Sequence, residues 1–166
     1  MRAEVDKVYL HVDYKAFQKL AYMRKKALDA NEQDWLFKKE FDYVDAEVEQ
    51  SKDILGAKIR LKGDRKIHYS HANEWSFRVK MKGDKTLYGV KYFSLQKPLT
   101  KNYIYEWLFH KALEREDVLS LKYKFVNLYM NGEDLGIYAL EEHFGKRLVE
   151  RQKRREGPII RFIEDF

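Results

Sequence analysis

Six basic residues fall on two short stretches, each alternating with apolar neighbours. In residues 54–62, Lys58, Arg60 and Lys62 alternate with Ala57, Ile59 and Leu61; in residues 74–82, Arg78, Lys80 and Lys82 alternate with Phe77, Val79 and Met81. Successive side chains on a strand point to opposite faces. Two such strands, paired, would carry an apolar face and a face of clustered cations. Like charges opposed across a strand pair repel, and an anion held against the face relieves that repulsion. A solvated face, with long Lys and Arg stems lying over apolar surface, is the other reading. Other residue types narrow the chemistry. There is no Cys, which excludes thiolate catalysis and thiolate metal sites. His11, His68, His71, His110 and His143 show no metal-ligand spacing. No nucleophile elbow, phosphate loop or zincin motif occurs, and Gly63 alone is too few for a glycine-rich loop.

The elements that must position these residues are legible from periodicity. The strongest is residues 123–142: alternation through Val126, Leu128 and Met130, then Asn131-Gly132, then alternation through Leu135, Ile137 and Ala139. Asn-Gly supplies the two positive φ angles of a type I′ turn, so this is a hairpin, closed by Glu141 and Glu142. Residues 5–12, 44–48 and 87–95 also read as strands. Asp13 caps a helix over 14–30 that turns Phe17, Leu20, Ala21 and Leu28 to one side. A second helix spans 101–115, with Ile104, Leu108 and Ala112 on its inner face and Trp107 beside them. A basic helix follows over 144–155, either a solvated surface helix or an anion patch. The expected fold is α+β: one domain, an antiparallel β-sheet with the helices at 14–30 and 101–115 packed on it. Trp75, Phe77, Val79, Val126, Leu128, Ile137 and Ala139 are expected in the core. With 33 basic and 27 acidic residues the net charge is +6, which favours anionic partners. A nucleic-acid partner is not expected, because no recognisable module accompanies that modest excess. No secretory leader is seen and no apolar run reaches membrane-span length.

The wording of these elements resembles the spore coat protein H (CotH) kinase family. The hairpin with its Asn131-Gly132-Glu133 turn and Leu135-Gly136-Ile137-Tyr138 carries the resemblance. Three pieces accompany it in the family's order: the basic strand ending at Lys62-Gly63 followed by Trp75-Ser76-Phe77-Arg78-Val79-Lys80; Tyr92-Phe93-Ser94-Leu95 with Pro98; and Gly157-Pro158-Ile159-Ile160-Arg161. Together they span residues 54–162. The chain departs from the pattern at Lys62-Gly63-Asp64-Arg65, where the family usually has Arg-Gly-Asn-x-Ser, and at Arg161, where it usually has Lys. The resemblance implies the N-terminal, nucleotide-facing portion of an atypical protein kinase, shaped like a kinase small lobe. That family uses ATP and Mg²⁺ to phosphorylate protein substrates of the spore coat, so a spore-coat or cell-surface setting is implied. Arg60, Lys62, Arg78, Lys80 and Arg161 would contact phosphates. Glu106 would be the helix-borne acid pairing with Arg78 or Lys80, and Glu141 and Glu142 would lie at the hinge beside the adenine. The metal-binding carboxylates belong to a C-terminal lobe beyond Arg161, so no catalytic or metal-binding residue is assigned here and this chain alone is expected to be inactive. A non-catalytic surface adhesion or assembly module on the same fold is the alternative, and a general polyanion binder a third.

Overall fold

Seven strands roll into one closed barrel. The computed structural model describes residues 5–29, 42–50, 53–62, 66–155 and 157–160. In chain order these form β1 (Lys7–His11), α1 (Tyr14–Asp29), β2 (Val44–Gln50), β3 (Asp53–Leu61), a 3-10 turn (Lys66–His68), β4 (Phe77–Met81), β5 (Tyr92–Gln96), a second 3-10 turn (Pro98–Lys101), α2 (Tyr105–Arg115), β6 (Tyr123–Met130), β7 (Glu133–Glu142) and α3 (Lys146–Arg151). Around the barrel the order is β1-β2-β3-β4-β5-β7-β6. Every neighbouring pair is antiparallel except the one that closes it: β1 runs parallel to β6, with Val8 opposite Leu128 and Leu10 opposite Met130.

This corrects the expected fold. An open antiparallel sheet with helices packed as a layer, the kinase small-lobe arrangement, is not what the chain adopts. Alternation reads the same in an open sheet and in a barrel, and β1 decides between them by covering the edges that β2 and β6 would leave bare. The inward set fills the interior: Val8, Leu10, Val48, Ile59, Leu61, Val79, Leu95, Val126, Leu128 and Leu140 are all 2% exposed or less. Full burial stabilises by about 1.5–3 kcal/mol for each such side chain. α1 lies against β2 and β3 and adds Leu20 to the core; the Asp13 carboxylate accepts a hydrogen bond from the Ala16 amide at 2.8 Å, the expected N-cap. No helix among the described residues is long and apolar enough to cross a membrane.

The hairpin turn is as read from Asn131-Gly132, with φ of +50° and +88°. β7 is not strictly alternating. Gly136 takes φ +74° and donates its amide to the Asp134 carboxylate at 2.8 Å, and the register with β6 shifts between Asn127 and Tyr129. The extra residue reverses parity along the strand. Leu135, Tyr138 and Leu140 therefore belong to the core, whereas Ile137, expected inside, is 43% exposed. The other expected core residues, Trp75, Phe77, Val79, Val126, Leu128 and Ala139, are all buried.

α2 also differs from expectation. Ile104, Leu108 and Ala112 face outward and His110 is its buried residue. Apolar residues recur at helical spacing along one face of α2, and the barrel meets the opposite face.

Candidate anion-binding face

The outer surface of β3, β4, β5, β7 and β6 carries one continuous polar row. Arg60 stands opposite Arg78, Arg78 opposite Ser94, Ser94 opposite Glu141, and Glu141 opposite Tyr123. On one side of this row lies a second, Lys58 opposite Lys80 and Lys80 opposite Tyr92. On the other side Lys62 and Gln96 continue the outward positions of β3 and β5. The predicted cations Arg60, Lys62, Arg78 and Lys80 thus share the face opposite Phe77 and Val79, as their alternation requires.

At the centre of the face Lys62 Nζ donates to Gln96 Oε1 at 2.5 Å and lies 3.2 Å from Glu141 Oε2, while Gln96 Nε2 donates to the same carboxylate oxygen at 2.5 Å. The Lys62 and Glu141 side chains are each only 13% exposed. Burial lowers the Lys62 pKa below its ordinary value; Glu141 opposes that shift, and the neighbouring positive charges of Lys101 and Arg78 add to it. Lys101 and Arg78 thus lie near enough for their charges to act on Lys62. Lys80 is exposed, with its ammonium 5.5 Å from the centre of the Tyr92 ring. Lys82 departs from the group, its ammonium 2.7 Å from Asp45.

Several predicted roles do not match this geometry. Arg60 is only 6% exposed, its guanidinium 5.3 Å from the Tyr43 ring centre. Glu106 forms its ion pair with Lys101 at 3.5 Å and lies 3.6 Å from His110 Nε2, away from the expected Arg78 and Lys80. The buried lysine–glutamate pair is instead Lys62–Glu141, between two strands. Glu141 therefore stands in the middle of the basic row. Glu142 points the other way, into the barrel mouth, where it accepts from Arg151 at 2.6 Å and from the Lys122 amide at 3.0 Å. That contact ties α3 to the barrel and gives Arg151 a structural partner; Arg154 has another in Asp117. Arg161 lies outside the described residues.

Sequence reasoning passed over four neighbours of the site: Gln96, Lys101, His110 and Tyr123. His110 is 5% exposed and stacks on Tyr123 with ring centres 5.9 Å apart. Neither of its ring nitrogens has a hydrogen-bond partner among the described residues. Burial, reinforced by Glu141 and Glu106, holds the Tyr123 hydroxyl well above the usual phenol range. The signal for Gln96 was available in Tyr92-Phe93-Ser94-Leu95-Gln96, whose polar positions alternate in step with the basic strands; nothing in the sequence tied His110 to Tyr123.

The connection between β3 and β4 is, over its described part, a strap fastened to α1. Arg24 donates to the carbonyls of Tyr69, Ser70 and His71 at 2.6, 3.1 and 3.1 Å. Tyr69 is fully buried, Trp75 stacks on Phe17, and the Tyr138 hydroxyl donates to the Trp75 carbonyl at 3.0 Å.

No protein-family model matches the chain, and no curated protein does.

Proposed function

We propose that the outer basic face is a phosphate-binding surface serving a CotH-type protein kinase, in which the complete protein binds Mg-ATP and phosphorylates protein hydroxyls. The observation that carries this reading is the register that sets Arg78 opposite Arg60 and Lys80 opposite Lys58 on one outward face, with Lys80 exposed. Charge-assisted hydrogen bonds to phosphate are among the stronger polar contacts. The four motifs in family order supply the identity of the anion. Arg78 and Lys80 would meet the phosphates, and Lys62, held between Gln96 and Glu141, would fix the field they sit in. The described residues suit phosphate better than metal. Among them no three His, Asp or Glu converge, and the nearby carboxylates are already engaged: Glu141 by Lys62 and Gln96, Glu142 by Arg151, Glu106 by Lys101. No transfer step is derived from these residues.

The test is calorimetric titration of Mg-ATP into the complete protein and its Arg78→Gln and Lys80→Ala variants. Each variant should bind at least about ten-fold more weakly, the scale of one lost hydrogen bond to a charged group, with unchanged thermal unfolding. Unchanged affinity in both variants overturns the reading. Incubated alone with labelled ATP and Mg²⁺, the 166-residue chain should transfer no phosphate to itself or to a Ser-rich acceptor. Binding that falls steeply with salt and shows no preference for ATP over other polyanions would favour the polyanion reading. The assembly-module reading has its own support in the outward apolar residues of α2.

A further inference from the structure

α2 is turned the wrong way for a helix whose only partner is its own barrel. A surface helix normally lays its apolar stripe on the core and shows polar residues to water. Here the side toward the barrel carries His110, Glu106 and the half-buried Trp107 and Leu113, while Ile104, Tyr105, Leu108 and Phe109 are 55%, 71%, 45% and 56% exposed. Leu99 and Tyr103, 55% and 60% exposed, extend the patch across the preceding turn. A groove of about 810 Å³ adjoins it, running past Ile104 to Phe125 and Ile137. Together these six side chains present on the order of 800 Å² of largely apolar surface, which is what each partner contributes to a standard-size interface. Contiguous apolar patches of that extent mark association sites.

The charges around the patch identify the partner. Lys97 pairs with Glu74 at 2.8 Å, Lys101 with Glu106 at 3.5 Å, and Lys111 with Glu114 at 2.6 Å. The surround is thus locally neutral on a chain whose net charge is +6. An acidic partner would be drawn to the basic row, not here. A second copy of the same chain meets least repulsion here, and mixed-sign neighbours can face each other across a two-fold axis. We propose that α2 and the adjoining groove form a homodimer interface, with α2 of one copy packed antiparallel on α2 of the other in an isologous contact.

Sedimentation velocity of the 166-residue chain over a wide concentration range tests this. The expected result is a concentration-dependent dimer that persists when salt is raised, because the contact is apolar. Leu108→Glu should weaken dimerisation by at least about 30-fold, the scale of a central interface residue. Phe109→Ser serves as a second variant should Leu108→Glu unfold. Tyr22→Glu, at a 67% exposed position on α1, should leave association unchanged. A chain that stays monomeric overturns the proposal, including one that captures a different protein through α2. So does a dimer indifferent to both α2 substitutions, or one that salt dissolves.

Discussion

Lys62 is held in an environment that disfavours its own charge. With both side chains of the Lys62–Glu141 pair 13% exposed, removing one partner leaves the other charge nearly buried and uncompensated. Lys62→Met alone should therefore cost roughly 3 kcal/mol in urea unfolding. The double variant Lys62→Met, Glu141→Leu should recover most of that loss, because a well-packed apolar pair replaces a buried ion pair at little cost. A double-mutant cycle with no coupling would show that the two groups act independently. The sign of the pH effect follows from the direction of the shift. Since the folded-state pKa of Lys62 lies below the ordinary lysine value of 10.5, the folded chain loses this proton first, and the unfolded state binds more protons between the two values. The Lys62 contribution to stability should thus rise as pH climbs through that window toward 10.5. The difference in unfolding midpoint between wild type and Lys62→Met should track it. Burial is the main cause of that depressed pKa, and the charges of Lys101 and Arg78 that add to it would also act on a bound phosphate.

Among the elements, β7 and the strap carry most of the positioning. Gly136 sits at φ +74°, where a Cβ would have room, its nearest neighbour being Lys97 Nζ at 3.9 Å. Gly136→Ala should therefore cost about 1 kcal/mol through backbone strain alone. Gly145→Ala should be near neutral, since Gly145 is extended at φ −174° with open space around it. Equal effects of the two substitutions on urea unfolding would refute the assignment of the β7 irregularity to Gly136. Its consequence is specific: the parity change turns Tyr138 inward, where its hydroxyl reaches the Trp75 carbonyl and fixes the end of the strap. Arg24 fixes the other side through three carbonyls. Arg24→Ala should cost about 1–2 kcal/mol, allowing for partial exposure of these bonds, and should raise hydrogen exchange across residues 66–75 before the rest of the barrel.

For the whole molecule, closure is the controlling event. β1 contributes Val8 and Leu10, both fully buried, and links β2 to β6. Its end is clipped by Asn131, whose side chain accepts from the Val12 amide at 2.8 Å and donates to the Val12 carbonyl at 2.9 Å. The hairpin turn that begins β7 thereby holds the first strand as well. Leu10→Ala should cost 2–5 kcal/mol, roughly the range for emptying a core Leu site. Because opening the barrel exposes two strand edges at once, unfolding should remain a single transition, coincident by far-ultraviolet dichroism and Trp fluorescence. A separate early loss of β1 in hydrogen exchange would show that closure is not cooperative with the rest.

The local order of this protein was legible because it depends on local chemistry. Period-two alternation located most of the strands, although of residues 87–95 only 92–95 lie in β5; Asn131-Gly132 set the hairpin, Asp13 capped α1, and the cations of β3 and β4 fell on one face as their spacing required. What the sequence could not determine depends on which surfaces meet. Parallel pairing of β1 with β6 joins residues distant along the chain, and no local pattern distinguishes a strand with one neighbour from a strand with two. The parity reversal at Gly136 was hidden because glycine fits a regular strand and a bulge alike. The apolar stripe of α2 was visible at helical spacing, but periodicity shows only that a stripe exists, not which body covers it. Glu106, His110 and the Lys62–Glu141 pair acquired their partners in the same way, from the placement of β5, β7 and α2 around a closed barrel. Tertiary packing alone decides that placement, because the free energy of burying the inward faces is shared by the whole ring of strands and belongs to no single stretch of sequence.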